Sequence, residues 1–296
     1  MDKLLEVKNL NVKYKVKDGY LSAVEDVNFN INKGEIFALV GESGCGKSTI
    51  AFTVMNLLMS GNEKVSGEIN FEGTNLIPLK TNEMAKIRGK KIGMIFQNPL
   101  DSLNPVYTSG SQVEEAILLD KIEKENAWKR VLGLYNDVKI PDAEKRMKSY
   151  PHELSGGMRQ RVMIAMMLSR RPELLIADEP TTALDVTIEA QILEIIKELK
   201  KEYNTSIMII THNFGVVAEV ADRIGVMYAG KLVEMGDVYQ IFENPTHPYT
   251  KLLMKALPRI RKHEGILETI PGSVPKLIGN IKGCRFANRC PYTLDI

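Results

Sequence analysis

One stretch of nine residues, GESGCGKST at positions 41–49, constrains the fold of this chain more than any other. Three of its residues are glycine, which is costly in regular structure and so indicates a backbone that bends tightly or lets a ligand come close. The stretch follows the apolar run IFALV (36–40) and leads into STIAFTVMNLL, which is typical of a helix. A strand, a glycine-rich turn and a helix in this order predict a phosphate-binding loop of the form G-x-x-x-x-G-K-[ST].

The residue types of this loop suit a nucleotide phosphate chain and a magnesium ion. N–H groups of the loop and the N-terminus of the following helix present partial positive charge to phosphate oxygens. We expect Lys47 to reach the β- and γ-phosphates, and Ser48 to offer its hydroxyl to Mg²⁺, which prefers oxygen ligands. The predicted contact residues are Gly41, Ser43, Gly44, Cys45, Gly46, Lys47, Ser48 and Thr49. The alternative is a glycine-rich turn that matches by chance, and Cys45 fills a variable position that need not be reactive.

Two adjacent carboxylates follow another apolar run. LLIA (174–177) leads into Asp178 and Glu179, which places both at the carboxyl end of a strand, where α/β sheets bind ligands. We expect Asp178 to hold the Mg²⁺ shell and Glu179 to orient and polarise an attacking water. A solvated strand end is the alternative, but it does not explain the phosphate-binding loop in the same chain.

The apolar segments predict an α/β core. Residues 4–31 are predicted as strands, and VNFNIN (27–32) alternates apolar residues with asparagine, the period of a half-buried strand. Near-continuous apolar runs, typical of a sheet covered on both faces, are IFALV (36–40), IGMIF (92–96), LLIA (174–177) and IMII (207–210). Because amphipathic helices such as 188–203 alternate with these runs, we expect a mainly parallel sheet.

Three other regions have a distinct character. Residues 99–170 contain helical patterns without a convincing strand, which predicts a helical insertion. RIGVMYAGKLVEMG (223–236) predicts a hairpin that turns near Ala229 and Gly230. From about residue 244 the chain is rich in proline, and we expect a tail with less core of its own.

Composition excludes several classes of protein. The formal net charge is +2, from 39 basic and 37 acidic residues, so nothing indicates a nucleic-acid partner. No apolar run approaches the roughly 20 residues needed to span a bilayer, and MDKLLEVKNL lacks the apolar core of a signal peptide. We therefore expect a cytoplasmic protein that reaches a membrane only by docking on another protein. Three cysteines do not make a disulfide framework.

A further motif, LSGGMRQ (154–160), completes a pattern that resembles the ATPases of ABC transporters. Ser155, Gly156 and Gly157 precede a helical run, so this loop is a second helix N-terminus suited to an anion. A serine-capped helix start is the structural alternative. The resemblance implies an α/β P-loop cassette with an N-terminal antiparallel β subdomain, a helical insertion and a C-terminal extension.

The resemblance also implies roles for single residues. Gln97 resembles the glutamine that touches Mg²⁺, Asp185 the aspartate of the D-loop, and His212 the switch histidine that contacts the γ-phosphate. Tyr14 resembles the aromatic residue that stacks on adenine, although Tyr20 lies nearby. The implied catalytic residues are Lys47, Gln97, Glu179 and His212, and the implied Mg²⁺ ligands are Ser48, Gln97 and Asp178. None departs from the family pattern, so we expect an active ATPase that uses ATP and Mg²⁺.

In the family, two such subunits pair head to tail, with ATP held between the phosphate-binding loop of one and the LSGG motif of the other. The γ-phosphate closes the dimer and hydrolysis opens it. This implies that Ser155, Gly156, Gly157 and Asp185 also contribute to nucleotide binding, and that catalysis consists of positioning and electrostatics.

A narrower resemblance covers nearly the whole chain and points to the D-type ATPase subunits of oligopeptide and dipeptide importers. It rests on NPLDSLNPVYTSGSQVEEAI, SYPHELSGGMRQRVMIAMML, LLIADEPTTALDVT, GVVAEVADRIGVMYAGKLVE, FENPTHPYTKLLMKALP and the IPGSVP…GCRFANRCP ending. It implies a nucleotide-binding domain at 1–250, with its helical subdomain at about 99–170, and a C-terminal extension at 251–296.

The implied partners are a second, different ATPase subunit and two membrane permease subunits. The permease subunits would bind to the segment after Gln97. An extracytoplasmic binding protein takes part indirectly, so the chain would lie on the cytoplasmic face of the membrane. Nickel and oligosaccharide importers belong to the same group and remain alternatives. The single cassette and the lack of a long heptad run disfavour a soluble ABC ATPase of translation or DNA repair. The importer-like tail disfavours an exporter.

Two cysteines, Cys284 and Cys290, lie in the tail with five residues between them. Some relatives carry four cysteines here that bind an iron–sulfur cluster, and four thiolates are the usual requirement. We expect either that the protein continues beyond Ile296 and completes a [4Fe–4S] site, or that no cluster forms. A packed pair of thiols is the structural alternative.

Overall fold

The computed structural model describes residues 2–58, 61–97, 102–181, 185–256, 270–275, 277–279 and 283–294. The chain divides into two compact units, Met1–Leu79 with Ile210–Ile296, and Lys80–Ile209. Within the predictions above, the start of the segment after Gln97 (98–101), the middle of TTALD (182–184) and part of the C-terminal extension (257–269) lie outside the described residues. The predicted domain boundary near residue 250 stays a prediction.

The strands and helices alternate along much of the chain. The strands are β1 (Lys3–Val16), β2 (Gly19–Asn32), β3 (Ile36–Val40), β4 (Glu63–Phe71), β5 (Thr74–Asn75), β6 (Ile92–Ile95), β7 (Leu174–Asp178), β8 (Ser206–Thr211), β9 (Arg223–Tyr228) and β10 (Lys231–Asp237). The helices are α1 (Lys47–Val54), α2 (Thr81–Met84), α3 (Ser109–Leu118), α4 (Lys124–Asp137), α5 (Ala143–Arg146), α6 (Gly156–Leu168), α7 (Val186–Tyr203), α8 (Phe214–Val220), α9 (Val238–Glu243) and α10 (Pro248–Lys255). Short 3₁₀ turns lie at Pro151–Glu153 and Ala287–Arg289.

In the first unit an antiparallel sheet forms from the N-terminal strands in the order β2-β1-β4-β5. The predicted alternation along β2 is confirmed, because Val27, Phe29 and Ile31 are buried while the residues between them are not. This antiparallel sheet is the N-terminal β subdomain that the resemblance implied.

A second group of strands in this unit carries the phosphate-binding loop. β3 pairs in parallel with β9, with Phe37 opposite Arg223 and Val40 opposite Val226. β9 and β10 form the predicted antiparallel hairpin, whose turn at Ala229 and Gly230 has positive φ at both residues. The loop therefore starts at the end of a strand that has all five residues buried.

The C-terminal residues contribute to the same core. One cluster of buried side chains contains residues of β3, α8 and β9. The C-terminal residues that pack into it are Tyr249, Met254, Leu277 and Phe286. The tail, which we expected to have less core of its own, thus packs its aromatic residues into the core around β3 and β9, a placement that proline-rich composition does not show.

The second unit combines strands with the predicted helical insertion. β7 lies between β6 and β8, and β6 pairs in parallel with β7. Between residues 102 and 170, the described part of the chain holds helices and turns, as predicted. Arg161 of α6 donates to the carbonyl oxygens of Val138 and Lys139 at 2.8 Å each, and to Gln191 Oε1 of α7 at 2.9 Å. None of the described helices is both long and apolar enough to cross a membrane.

Replacing Phe286 by alanine tests the contribution of the tail to the core. The ring is 1% exposed and lies against Tyr228 and Tyr249, with ring centroids 5.1 and 5.5 Å away. We expect Phe286→Ala to lower the free energy of unfolding by about 3 kcal/mol, because it leaves a cavity among aromatic rings. Urea unfolding followed by circular dichroism would measure the loss.

The matched control is Tyr292→Ala, which removes an aromatic side chain that is 68% exposed in the same tail. It should change the unfolding free energy by no more than about 0.5 kcal/mol. Equal effects of the two substitutions would show that the tail does not share the core.

Candidate nucleotide-binding site

The phosphate-binding loop occupies the predicted junction between β3 and α1. β3 ends at Val40, and α1 begins at Lys47 after Gly46, which caps the helix with a left-handed backbone (φ 104°). The loop brings backbone N–H groups to the N-terminus of α1, where the helix dipole adds partial positive charge. The sequence pattern and the local geometry agree at this point.

Two of the loop glycines are required by close contacts with neighbouring backbone. A Cβ added to Gly41 would lie 2.2 Å from the carbonyl oxygen of Met227, and one added to Gly46 would lie 2.4 Å from that of Ala23. Since the obstructing atoms are backbone, no side-chain rotation can relieve either clash. The loop is therefore held tightly between β2 and β9, which leaves its other side to a ligand.

Lys47 lies within the loop. It is 5% exposed, and its Nζ donates to the carbonyl oxygens of Gly41 at 2.7 Å and Glu42 at 3.1 Å. The ammonium group is thus fixed against the backbone that the motif assigns to phosphate binding. Cys45 is also buried, and burial raises the pKa of its thiol, an effect that Lys47 only partly offsets. The thiol stays protonated at neutral pH, in agreement with a packing role.

The structure separates the two candidate aromatic residues. Tyr14 lies on β1, where burial raises the pKa of its hydroxyl and the nearby Thr49 side chain, in the first turn of α1, partly offsets this rise. Tyr20 instead lies beneath the ammonium of Lys64, 4.5 Å from the ring centroid. Tyr14 is therefore the aromatic residue beside the loop, which favours it over Tyr20 as the adenine contact.

His212 follows β8 directly and is exposed. The next residue, Asn213, caps α8 through its side chain, which accepts from the N–H of Gly215 at 3.0 Å. The cap fixes the turn in which His212 stands, so the histidine is presented at a strand end, as the sequence pattern predicts.

In the second unit the two acidic residues stand at the end of β7. Asp178 is 3% exposed, whereas Glu179 has a left-handed backbone conformation (φ 47°). Such a conformation costs a non-glycine residue about 1–3 kcal/mol, and strain of this kind clusters at functional sites. Gln97 donates from Nε2 to Glu179 Oε2 at 2.8 Å, although 82 residues separate them. The structure thus brings together two residues that the sequence assigned to catalysis on separate grounds.

The LSGG motif opens a helix, as predicted. Ser155 caps α6 by accepting from the N–H of Met158, so the structural alternative is realised, and the N–H groups at the start of α6 remain suited to an anion. A Cβ on Gly157 would lie 2.8 Å from Ile188 Cγ2, which requires a small residue here. Asp185 caps α7 by accepting from the N–H of Ile188 at 2.9 Å. These caps do not test the predicted contacts of Ser155, Gly156, Gly157 and Asp185 with nucleotide.

Glu42 is a residue to which the sequence pattern gave no role, since it fills a variable position of the loop motif. Its carboxylate accepts two hydrogen bonds from Arg289, at 2.9 and 3.1 Å. No local signal predicts this pair, because the two residues are 247 positions apart.

The donors present fit ATP and Mg²⁺ but not an iron–sulfur cluster. The loop offers a backbone cradle, and the predicted Mg²⁺ ligands Ser48, Gln97 and Asp178 supply hydroxyl, amide and carboxylate oxygens, the types that Mg²⁺ prefers. In the tail, Cys284 is exposed and Cys290 half-buried, and these two thiols are half of the four that a cluster requires. Among the described residues, no group of three or more His, Cys, Asp or Glu side chains could hold a metal ion.

Known proteins share both the cassette and the tail. A family model described as "ABC transporter" matches residues 24–182, and one described as "Oligopeptide/dipeptide transporter, C-terminal region" matches residues 233–296. The oligopeptide transport ATP-binding protein OppD of Haemophilus influenzae is 51% identical over 296 residues, which cover all of this chain and 91% of that protein. The dipeptide transport ATP-binding protein DppD of Bacillus subtilis is 50% identical over 298 residues, covering 100% and 89% of the two proteins.

A solved structure agrees with these relatives. A dimeric ATP-binding cassette in a post-hydrolysis state, bound to ADP and Pi, matches 79% of this chain and 98% of its own, at 29% identity and a TM-score of 0.71. The chain therefore belongs to the ABC transporter family, and it is an ATPase. Within that family it carries the C-terminal region of the oligopeptide/dipeptide transporters.

Substitution of Gly46 tests the loop geometry. We expect Gly46→Ala to abolish ATP binding, because the new Cβ meets the carbonyl oxygen of Ala23 and an L side chain rarely adopts the backbone conformation at this position. Isothermal titration calorimetry with ATP would measure the loss. The control is Gly133→Ala in α4, where a Cβ meets no atom within 4 Å and helix propensity favours alanine. If Gly46→Ala bound ATP as well as the control, the loop would not be the cradle.

Proposed function

We propose that this chain hydrolyses ATP to energise the import of oligopeptides or dipeptides through a membrane transporter. The observation that carries this proposal is the C-terminal region of the oligopeptide/dipeptide transporters at 233–296, in a chain that aligns over its full length with the oligopeptide and dipeptide transport relatives. The catalytic cassette alone would fit any ABC ATPase, whereas the tail narrows the cargo class.

The proposed roles of the site residues follow the motifs. Lys47 and the loop N–H groups bind the phosphate chain, and Tyr14 stacks on adenine. Glu179 orients and polarises the attacking water, and its hydrogen bond with Gln97 fixes the carboxylate. His212 contacts the γ-phosphate.

Ser48, Gln97 and Asp178 would hold Mg²⁺, which when bound neutralises charge on the phosphate oxygens. Protein groups that are already positioned against such charge need no reorganisation during the reaction.

We propose that the chain works in a dimer with a second, different ATPase subunit, with Ser155, Gly156, Gly157 and Asp185 facing the nucleotide held by the partner. Two permease subunits would dock on the segment after Gln97, where Val106 and Tyr107 are 70% and 58% exposed. The chain would then lie on the cytoplasmic face of the membrane, and a binding protein outside would select the cargo. The dimeric state of the similar solved cassette supports the pairing.

Transport by the reconstituted complex tests the cargo class. Proteoliposomes that contain this chain, its partner ATPase, the two permeases and the binding protein should accumulate dipeptides or oligopeptides only when ATP is supplied. A panel of peptides of increasing length, Ni²⁺ and an oligosaccharide would be compared in the same vesicles. Accumulation of Ni²⁺ or the oligosaccharide but of no peptide would overturn the proposed cargo and leave the ATPase assignment intact.

Glu179→Gln tests the proposed catalytic role. The amide keeps the size of the side chain and loses the charge that polarises water, so we expect kcat for ATP hydrolysis to fall by about 10²-fold or more while ATP still binds. Mixed with its partner ATPase and ATP, the variant should also accumulate as a closed dimer, which size-exclusion chromatography would detect. Glu198→Gln is the control, since Glu198 pairs with Lys139 at the surface and should leave kcat unchanged. Full turnover by Glu179→Gln would remove Glu179 from catalysis.

A further inference from the structure

We infer that the C-terminal segment, defined as the described residues from Asn244 onward, positions the phosphate-binding loop, and that Arg289 and Tyr249 act on ATP affinity through Glu42. The inference rests on the proposed role of the loop in nucleotide binding. It assigns two positioning residues outside every motif of the cassette, and it gives the tail a task in ATP binding.

Arg289 holds the side chain of Glu42 with both ends of its guanidinium group. Nη1 lies 2.9 Å from Glu42 Oε2, and Nη2 lies 3.1 Å from Oε1, the paired geometry that makes arginine–carboxylate bonds strong. Arg289 is 8% exposed, and its Nε donates to the carbonyl oxygen of Pro271 at 2.8 Å. The guanidinium plane also lies against the ring of Tyr228, 5.7 Å from the centroid. Because its other contacts are fixed, Arg289 holds Glu42 in one place.

Tyr249 holds the backbone of the same residue. The N–H of Glu42 donates to the Tyr249 hydroxyl oxygen at 3.2 Å. Tyr249 is fully buried, and its ring packs against Tyr228 and Phe286 at centroid distances of 4.6 and 5.5 Å. One tail residue therefore binds the side chain of Glu42 and another binds its main chain.

The helix that carries Tyr249 is itself anchored. Glu234 of β10 accepts from the N–H and the hydroxyl of Thr246, at 2.6 and 2.7 Å, and from the N–H of His247 at 3.0 Å. Burial raises the pKa of Glu234, but the nearby Thr250 hydroxyl and the hydrogen bonds from Thr246 and His247 together outweigh burial and leave its pKa below the usual value. Glu234 is therefore ionised at neutral pH, and it fixes the start of α10 just before Tyr249.

Glu42 connects these contacts to the phosphate-binding lysine. The carbonyl oxygens of Gly41 and Glu42 accept the two hydrogen bonds from Lys47 Nζ. Loss of the tail contacts would free the backbone at Glu42 and so disturb the position of the Lys47 ammonium. This change would affect nucleotide binding. It would not alter Glu179, at the end of β7, which is the residue predicted to activate water. We expect a higher Kd and KM for ATP with little change in kcat at saturation.

The test compares Arg289→Ala, Glu42→Gln and the double variant in the full chain. Titration calorimetry with ATP in the absence of Mg²⁺ should show about a tenfold rise in Kd for each single variant, the size expected for a charge-assisted pair. The double variant should be no weaker than either single variant, because both remove the same interaction. Arg289→Lys should restore part of the affinity, since lysine keeps the charge and loses the paired geometry.

A matched control separates positioning from general stability. Arg223→Ala removes another arginine–glutamate pair of the same unit, in which Arg223 Nη1 lies 3.0 Å from Glu35 Oε1 at the far end of β3 and β9 from the loop. It should leave the Kd for ATP unchanged. Hydrogen exchange of the nucleotide-free protein gives a second readout, and peptides that cover residues 41–46 should exchange faster in Arg289→Ala and Glu42→Gln only.

Each outcome decides the inference. If Arg289→Ala does not fold, two milder variants replace it and should weaken ATP binding: Glu42→Gln, which removes one charge, and Tyr249→Phe, which removes one hydroxyl. Wild-type affinity in Glu42→Gln and Arg289→Ala, or effects that add in the double variant, would overturn the inference. Failure of the wild-type chain itself to bind ATP would instead overturn the proposed nucleotide site.

Discussion

The structure depends on a turn of backbone so confined that only glycine fits at its two ends. Gly41 lies against the carbonyl of Met227 and Gly46 against that of Ala23, so strands β9 and β2 hold the loop in place. The confinement fixes the N–H groups at the start of α1 before any anion arrives. Donors that are already in place do not have to be ordered on binding, which lowers the entropic cost of capturing phosphate.

At the end of β7, a strained backbone conformation and a side-chain hydrogen bond position Glu179, the residue predicted to polarise water. The left-handed backbone of Glu179 is strained, and it persists because the buried strand before it and the hydrogen bond from Gln97 hold the residue in place. The core of β7 thus stabilises a side-chain position that the chain would not adopt on its own. Lys47, at the start of α1, is instead held by the carbonyl oxygens of its own loop.

The C-terminal segment, which lies in the oligopeptide/dipeptide transporter region, contacts the phosphate-binding loop of the cassette. Its aromatic residues complete the core around β3 and β9, and Arg289 and Tyr249 meet at Glu42. Arg285 belongs to the same arrangement, since it donates to Glu25 and to the carbonyl oxygen of Ala229, in the hairpin turn whose Gly230 N–H donates to Cys45. The C-terminal region is thereby joined to the phosphate-binding loop.

The sequence by itself determined the strand–loop–helix order, the carboxylates after LLIA, the helix start at LSGG and the hairpin at Ala229. Each of these depends on residues within a few positions of one another, where propensity and periodicity act. Only the tertiary structure decided that Tyr14 rather than Tyr20 lies beside α1, that Gln97 meets Glu179, and that Arg289 binds Glu42. These pairs join residues far apart in the chain, so the packing of strands and tail, which no local pattern encodes, decides which side chains meet.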